Sequence, residues 1–194
     1  EVPAPGLILV THAHPDHAWG LKEGAPCPVY ASAETWDIIG NYPVADRRVA
    51  VPGEPLSWRG FTIESFPVVH SLRAPANGYR VSAGARSFFY IPDVVYIEDR
   101  RRALGGCDLY IGDGATIKRS FVRRRGDLLF GHTPISTQLT WCHKEGVPRA
   151  VITHCGTQIV EEDAEAVDFV VGRLAEERGV SATVATDGME LVLR

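Results

Sequence analysis

The sequence lacks the features of membrane, secreted and repeat proteins. No apolar run is long enough to span a bilayer, no signal-peptide pattern stands at the N-terminus, and no internal repeat or low-complexity segment interrupts the chain. No CxxC spacing occurs among the four cysteines, Cys27, Cys107, Cys142 and Cys155. A disulfide framework is therefore not indicated, and we expect reduced thiols in a cytoplasmic protein without a membrane partner.

An excess of positive charge is also missing. The formal net charge is -4 at pH 7, which argues against a general polyanion binder. The 194 residues, of which 45% are hydrophobic, predict one globular domain over residues 1–194. Two basic clusters oppose the overall sign, at arginines 100–102 and at Lys118, Arg119 and arginines 123–125. The second cluster is either a solvated loop or an anion-attracting rim.

One short segment concentrates metal-ligand chemistry. Residues 11–17 read Thr-His-Ala-His-Pro-Asp-His and bring together four ligand-type side chains, His12, His14, Asp16 and His17. Neutral imidazole and carboxylate are the usual ligands of zinc and similar divalent metals. The apolar run 6–10 before them predicts a buried strand, and Pro15 disfavours helix or central-strand pairing within the motif. The pattern therefore predicts metal ligands on a tight loop at the end of a strand rather than a polar surface turn.

Further candidate ligands also lie at predicted strand ends. His70 ends the run 61–69, Asp93 follows 87–91, His132 follows 127–130 and His154 ends 149–153. Loops at strand ends are rigid enough to hold a metal in a fixed geometry. His143 is the exception, because it lies within a predicted helix beside Lys144 and reads as a surface or packing residue.

Short apolar runs alternate with helical patterns along the chain. The sequence predicts helices at 33–40, 95–104, 135–145 and 162–178, the first of them capped by Ser32. It predicts strands at 6–10, 28–31, 61–69, 78–83, 87–91, 108–112, 127–130, 149–153, 181–186 and 189–193. The mixture indicates an α/β fold.

The ordered motifs resemble those of the metallo-β-lactamase-fold hydrolase superfamily over essentially the whole chain. They are Thr-His-Ala-His-Pro-Asp-His, Val-Val-His ending at His70, Ile-Pro-Asp at 91–93 and Ile-Thr-His at 152–154. The segments Gly-His-Thr-Pro-Ile at 131–135 and Asp-Gly-Met-Glu-Leu at 187–191 look most like the phosphodiesterase branch. That branch includes transfer-RNA 3′-processing endonucleases and the cyclic-phosphate phosphodiesterase of phosphonate catabolism.

The resemblance implies an αββα sandwich with two divalent metal ions, zinc in the first place and manganese or iron as alternatives. It assigns His12, His14 and His70 to the first ion, and Asp16, His17 and His154 to the second. Asp93 would bridge the two ions, one oxygen to each. Secreted β-lactam-hydrolysing members often have cysteine at the bridging position, so Asp93 argues against that activity.

The resemblance also implies a difference at the N-terminus. Family members usually have several strands before the first histidine motif, whereas this chain has about eleven residues there. We therefore expect a sandwich that lacks the usual N-terminal strands, whether the chain is a fragment, a trimmed chain or an unusually short member. An exposed sheet edge would then favour a homodimer.

The predicted function is a dinuclear metal-dependent phosphodiesterase that uses a metal-bridging hydroxide. Asp16 would accept a hydrogen bond from the hydroxide, and His132 would donate one to the phosphate or leaving group. A structural role remains the alternative for His132. Asp113 would either orient a metal-ligating histidine or serve as a turn carboxylate.

The sequence favours a small or short phosphodiester over folded RNA. Only 22 residues separate His70 from Asp93 and 38 separate Asp93 from His132, with no glycine-rich arm between strands in either interval. Nucleic acid stays possible but is not favoured. Two alternatives remain open: a thioester or lactone hydrolase similar to glyoxalase II, and a metal-stabilised binding module whose catalysis is impaired.

Overall fold

The computed structural model describes residues 3–193, which fold into thirteen strands with helices between them. The strands are β1 Ile8–Leu9, β2 Val29–Ala31, β3 Arg47–Val49, β4 Leu56–Trp58, β5 Phe61–Val69, β6 Ala76–Ala83, β7 Arg86–Tyr90, β8 Tyr96–Ile97, β9 Leu109–Asp113, β10 Arg123–Arg125, β11 Leu128–Phe130, β12 Arg149–Thr153 and β13 Ser181–Val184. The α-helices are α1 Pro15–Ala18, α2 Ala33–Ile38, α3 Arg100–Leu104, α4 Ile135–Glu145, α5 Thr157–Val160 and α6 Ala164–Glu176. A 3₁₀ turn, Trp19–Leu21, follows α1.

Most strands belong to one mixed sheet in the order β13-β12-β9-β7-β6-β5-β4, with β8 paired to β5. The strands β4 to β7 pair antiparallel, because short turns join them, as at Gly84 between β6 and β7. The strands β7, β9, β12 and β13 pair parallel and are connected through helices. This arrangement places the ends of β9 and β12 side by side, with Asp113 opposite Thr153.

A smaller parallel sheet, β1-β2-β3, packs against the large one. Leu7, Leu9 and Tyr30 from the small sheet contact Ile63 and Tyr79 from the large sheet. The Tyr79 hydroxyl crosses this interface and donates to the carbonyl of Val10 at 2.8 Å. The two sheets therefore form the middle layers of a sandwich.

Helices cover the outer faces of both sheets. The large sheet packs with α3, α4 and α6 through a core that includes Phe89, Leu104, Leu139 and Val171. The small sheet packs with α1 and α2 through Val29 and its neighbours. The layers are thus α, β, β and α, which confirms the predicted αββα sandwich.

The strand β1 lies at one edge of the small sheet. Within residues 3–193, β1 pairs with β2 on one side and with no strand on the other. Whether this edge supports a homodimer stays a prediction.

Three local predictions are wrong. Pro15 does not exclude a helix but begins α1, because the first helical position needs no N–H donor. The segment 95–104 is divided: Tyr96–Ile97 pairs with β5, and the helix begins only at Arg100, after the Asp99 cap. No strand forms over 189–193, since the Met189 N–H turns back to the carbonyl of Thr186.

The longer elements follow the sequence closely. The strand β5 and the helix α4 have the predicted bounds, and α6 lies inside the predicted helix 162–178. The hydroxyl of Ser32 caps α2 by accepting from the Thr35 N–H at 3.1 Å. Among the residues with described coordinates, no helix has both the length and the apolar character needed to cross a bilayer.

Candidate metal centre

The histidine motif lies where β1 ends and α1 begins. His12 and His14 occupy the short extended segment after the strand, and His14 is the residue that caps α1. Asp16 and His17 are in the first turn of α1, where the His17 N–H donates to the carbonyl of His14 at 3.0 Å. This turn directs the side chains of both loop histidines and both helical residues to one place.

Three imidazoles form the first cluster. His12 Nε2 lies 2.9 Å from His14 Nδ1, and His14 Nδ1 lies 3.3 Å from His70 Nε2. His70 arrives from the end of β5, so two different sheets contribute. The three ring nitrogens lie within 4.8 Å of one another, which is close enough to hold one metal ion.

Asp93 lies at the centre of the whole group. Its Oδ2 is 2.8 Å from His17 Nε2 and 3.7 Å from His12 Nε2. Its Oδ1 is 3.5 Å from His154 Nδ1 and 4.0 Å from His70 Nε2. The carboxylate therefore faces histidines of both predicted ligand sets, which is the position that a bridging ligand needs.

The second cluster contains Asp16, His17 and His154. Asp16 Oδ2 is 3.3 Å from His17 Nε2 and 3.2 Å from His154 Nε2. His154 follows β12 with φ of 51°, a left-handed conformation that non-glycine residues seldom adopt. Unusual backbone conformations of this kind concentrate at functional sites. The seven predicted ligands are thus all together.

Two buried atoms at the centre have no hydrogen-bond partner within residues 3–193. His17 Nε2 and Asp93 Oδ2 approach each other without hydrogen-bond geometry, and each is otherwise unpaired. Unpaired buried polar atoms are costly in a folded protein. A divalent cation between the histidines and the carboxylate would satisfy both atoms, so the donor set fits a metal.

The electrostatics keep the three imidazoles of the first cluster in the form that binds metal. Burial, together with the charge of the nearby His17, lowers the pKa of His12 to about 3. Burial also lowers the pKa of His14 and of His70. Neutral imidazole is the ligand form, so these histidines need not lose a proton near neutral pH.

Asp93 is held in its charged form. Burial raises its pKa, but the close approach of His17 and the charges of His70 and His154 outweigh burial and keep the pKa well below its usual range. For His17 the balance is the reverse: burial lowers its pKa, and the carboxylates of Asp93 and Asp16 raise it more. An ionised carboxylate surrounded by imidazoles is a suitable cation site.

His132 lies beside the cluster with a partner of its own. Its Nδ1 is 2.9 Å from Asp113 Oδ2 and 3.4 Å from Asp93 Oδ1. Burial lowers the pKa of His132, but its contact with Asp113 and the charge of Asp93 raise it more, so the net shift is upward. His132 also lies close enough to His70 and Asp93 to complete an alternative metal group.

Asp113 combines the two roles considered from the sequence, with one difference. It accepts hydrogen bonds from the Ala115 N–H at 2.8 Å and the Val94 N–H at 2.9 Å, which makes it a turn carboxylate. It also holds an imidazole, but that imidazole is His132 and not one of the predicted ligands. Fully buried at the end of β9, Asp113 fixes the ring orientation of His132.

Sequence reasoning missed Gln138, which supports this pair from α4. Its Oε1 accepts from the Tyr110 hydroxyl at 2.8 Å and from the Asp113 N–H at 3.0 Å. Its Nε2 donates to the carbonyls of Asp113 and Thr133 at 2.8 and 3.0 Å. The side chain is completely buried. The sequence signal that could have identified Gln138 is a glutamine on the apolar face of the predicted helix 135–145.

Gly131 connects His132 to the ligand His70. Its N–H donates to the carbonyl of His70 at 2.8 Å, and its own carbonyl is 3.1 Å from His70 Nδ1. Its φ of 107° favours glycine, and a Cβ there would lie 2.2 Å from the carbonyl oxygen of Phe121. The glycine thereby fixes the ring of His70 with Nε2 toward the cluster.

A cavity borders the site, and the remaining histidine lies on α4. A cavity of about 440 Å³ opens beside His154 and is bordered by Thr186 and Gly188. His143 is exposed on α4 and is absent from the groups that could hold a metal, in agreement with its interpretation as a surface residue.

Comparison with known proteins agrees with this geometry. A family model described as a beta-lactamase superfamily domain matches residues 1–155. The exodeoxyribonuclease YycJ of Bacillus anthracis is 34% identical over 104 residues, which are 50% of this chain and 39% of that protein. The chain thus spans less than half the length of the curated relatives that it matches.

Solved structures share the fold at low sequence identity. A diphosphatase from the PhnP family has a TM-score of 0.66 at 19% identity, over 97% of this chain and 72% of its own. The short form of human tRNase Z has a TM-score of 0.64 at 17% identity, over 95% of this chain and 77% of its own.

The fold and the histidine-carboxylate cluster define a centre of the metallohydrolase type. The chain belongs to the beta-lactamase superfamily domain family. This membership confirms the resemblance drawn from the sequence motifs, and both fold and site agree with a metal-dependent hydrolase.

Proposed function

We propose that this protein is a dinuclear metal-dependent phosphodiesterase acting on a small or short phosphodiester. His12, His14 and His70 hold one ion in this proposal, and Asp16, His17 and His154 hold the other, with Asp93 shared between them. The support is the central position of Asp93, whose oxygens face both clusters. The nitrogen-rich donor set favours zinc, with manganese or iron as alternatives.

Two divalent ions bound here would supply Lewis-acid chemistry, activating water near neutral pH and neutralising the phosphate oxygens. Asp16 has the exposure that contact with substrate requires, since 63% of its side chain is accessible. It orients the attacking water by accepting a hydrogen bond. His132 donates a proton to the departing oxygen, and Asp113 raises the pKa of His132 and fixes the orientation of its ring.

The observation that favours a phosphodiester over a thioester is the His132–Asp113 pair beside Asp93. An alkoxide leaving group needs a proton, whereas a thiolate leaves without one because thiols are far more acidic. A thioester hydrolase has little use for this proton donor. One relative is named an exodeoxyribonuclease, so short DNA strands are among the phosphodiesters to test.

The remaining expectations also belong to the proposal. All four cysteines are free, which supports a reducing compartment such as the cytoplasm. The unpaired edge of β1 supports a homodimer, which sedimentation of the metal-loaded protein would test. A cavity of about 440 Å³ beside His154 suits a small substrate better than a folded one.

The test is a panel of substrates with protein loaded with zinc, manganese or iron. We expect phosphodiesters to be hydrolysed with a higher kcat/KM than thioesters, lactones or β-lactams. We also expect Asp16→Ala to abolish turnover. A thioester or lactone as the clearly preferred substrate would refute the assignment, and a metal-loaded protein inactive on the whole panel would favour the binding module.

A further inference from the structure

The hairpin β10–β11 is a basic ribbon that the chemistry at the metal centre leaves unused. Its first strand consists of three exposed arginines, Arg123, Arg124 and Arg125. Its second strand, Leu128–Phe130, is apolar and leads directly into Gly131 and His132. We propose that this ribbon, named here the arginine arm, binds backbone phosphates of a single polynucleotide strand whose end occupies the metal centre.

The charge of the arm is not neutralised by the protein. Within residues 3–193, neither Arg123 nor Arg125 makes a salt bridge, and Arg124 has only a contact of 3.9 Å with Asp127. Both partners of that contact are exposed, so it contributes little. By contrast, Lys118 and Arg119 line a cavity together with Glu161 and Glu162. The arginines of β10 are therefore exposed and available to an anion.

The base of the arm is fixed to the metal centre by backbone hydrogen bonds. The Phe121 N–H donates to the carbonyl of His132 at 3.1 Å, and the Gly131 N–H donates to the carbonyl of His70 at 2.8 Å. The arm thus begins at a predicted ligand and a predicted proton donor. A strand leaving the metal centre along the arm would meet the arginines in sequence.

The register gives the reach of the arm. Arg123 is opposite Phe130 and Arg125 is opposite Leu128, two and four residues before His132. At ~3.3 Å per residue these positions are about 7 and 13 Å from His132 along the strand. Phosphates of a stacked strand repeat every ~3.4 Å. The arm therefore covers phosphates about two to four nucleotides from the one at the metal centre.

The pairing also explains why one strand fits better than a duplex. Arg123 and Arg125 share one face of β10, because successive side chains of a strand point to opposite faces, and Phe130 of β11 is directly opposite Arg123. Guanidinium groups next to an aromatic ring suit a single strand, whose phosphates and unpaired bases are both accessible. This inference rests on the proposed function for the position of the strand end.

The test uses metal-loaded protein and single-stranded oligodeoxynucleotides of two, six and twelve nucleotides. We expect KM to fall sharply between two and six nucleotides in the wild type and to be independent of length in R123Q/R124Q/R125Q. Hydrolysis of bis(p-nitrophenyl) phosphate, which is too short to reach the arm, should be the same in both. R123K/R124K/R125K should restore the length dependence.

Salt dependence gives a second readout that does not need turnover. Two phosphate contacts to a single strand, from Arg123 and Arg125, contribute a log-log slope of about -1.4, or a roughly 7-fold loss of affinity between ~50 and ~200 mM salt. Fluorescence anisotropy of a labelled six-nucleotide strand should show this loss in the wild type and lack it in the glutamine variant. The control R101Q/K144Q/R173Q removes the same charge from α3, α4 and α6 and should retain the wild-type slope.

The outcomes separate the two proposals. If R123Q/R124Q/R125Q keeps the wild-type salt slope of binding and the wild-type dependence of KM on strand length, the arginine arm is refuted. The proposed phosphodiesterase function would not be affected by that result. Tighter binding of a duplex than of a single strand would also overturn the arginine arm. Failure of the wild type to hydrolyse any phosphodiester would refute the proposed function, and an unchanged anisotropy slope in the variant would then refute the arm independently.

Discussion

Gln138→Leu is the substitution that most directly tests the support of His132. Leucine keeps the approximate volume and the helix propensity, but it removes all four hydrogen bonds of the buried amide. The Tyr110 hydroxyl and the Asp113 backbone lose a partner inside the core. Unlike a surface change, this substitution leaves buried donors and acceptors without water to replace the lost side chain.

The magnitude follows from these contacts. Each hydrogen bond contributes ~0.5–1.5 kcal/mol, and a buried group left unpaired costs ~1–3 kcal/mol. We expect Gln138→Leu to lower the free energy of unfolding by about 4 kcal/mol. For a chain of this size that corresponds to a fall in melting temperature of about 8–16 °C.

The assay is urea and thermal denaturation followed by circular dichroism, with Gln158→Leu as the matched control. Gln158 is exposed on α5, so the same substitution there should change stability by less than ~0.5 kcal/mol. If Gln138→Leu melts within ~2 °C of the wild type, the buried amide does not support the Asp113 turn and this reasoning is wrong.

Two further predictions concern the neighbours of His132. Asp113→Asn removes the carboxylate that raises the pKa of His132. The NMR titration of the His132 imidazole in the metal-free protein should therefore move to lower pH, and the alkaline limb of the pH profile of kcat should move in the same direction. An unmoved titration would contradict the pairing of His132 with Asp113. Gly131→Ala imposes a Cβ 2.2 Å from the Phe121 carbonyl at φ 107°, so it should destabilise the protein by more than the ~1–2 kcal/mol of left-handed strain. The control Gly126→Ala, at φ 61° with open space, should show the strain alone, and equal effects of the two would argue against the close contact.

The sequence predicted the layers of the fold because its strongest patterns coincide with its longest elements. The apolar run 61–69 and the periodic helix 162–178 both form where expected, as β5 and around α6. The segment 95–104 was misread because tertiary pairing overrides local pattern: Tyr96–Ile97 binds the free part of β5 before the chain turns into α3. The segment 189–193 was misread because alternation of apolar residues also suits an extended segment that does not pair, and Leu193 lines a cavity together with Phe61 and Phe88.

For the candidate site, the sequence predicted which residues meet but not how they are held. Ligand-type residues at strand ends were visible from spacing alone, as at His70 and His154. The support was not visible, because Gln138 and Asp113 act through hydrogen bonds between elements distant in the chain. The hairpin itself was likewise not visible from the sequence, because its register pairs Arg123 with Phe130, two residues before His132, through contacts between the two strands.

The central claim is that seven side chains hold two ions and that His132 serves the reaction without binding either. Its most direct test is metal analysis of purified His132→Ala beside the wild type, combined with turnover of a phosphodiester. We expect close to two ions per chain in both proteins, with a rate ~10²–10⁴-fold lower in the variant, as for loss of a proton donor. Loss of an ion from the variant would show that His132 is a metal ligand, as its position near His70 and Asp93 allows. Unchanged turnover would show that His132 is a structural residue. Either result would contradict the central claim.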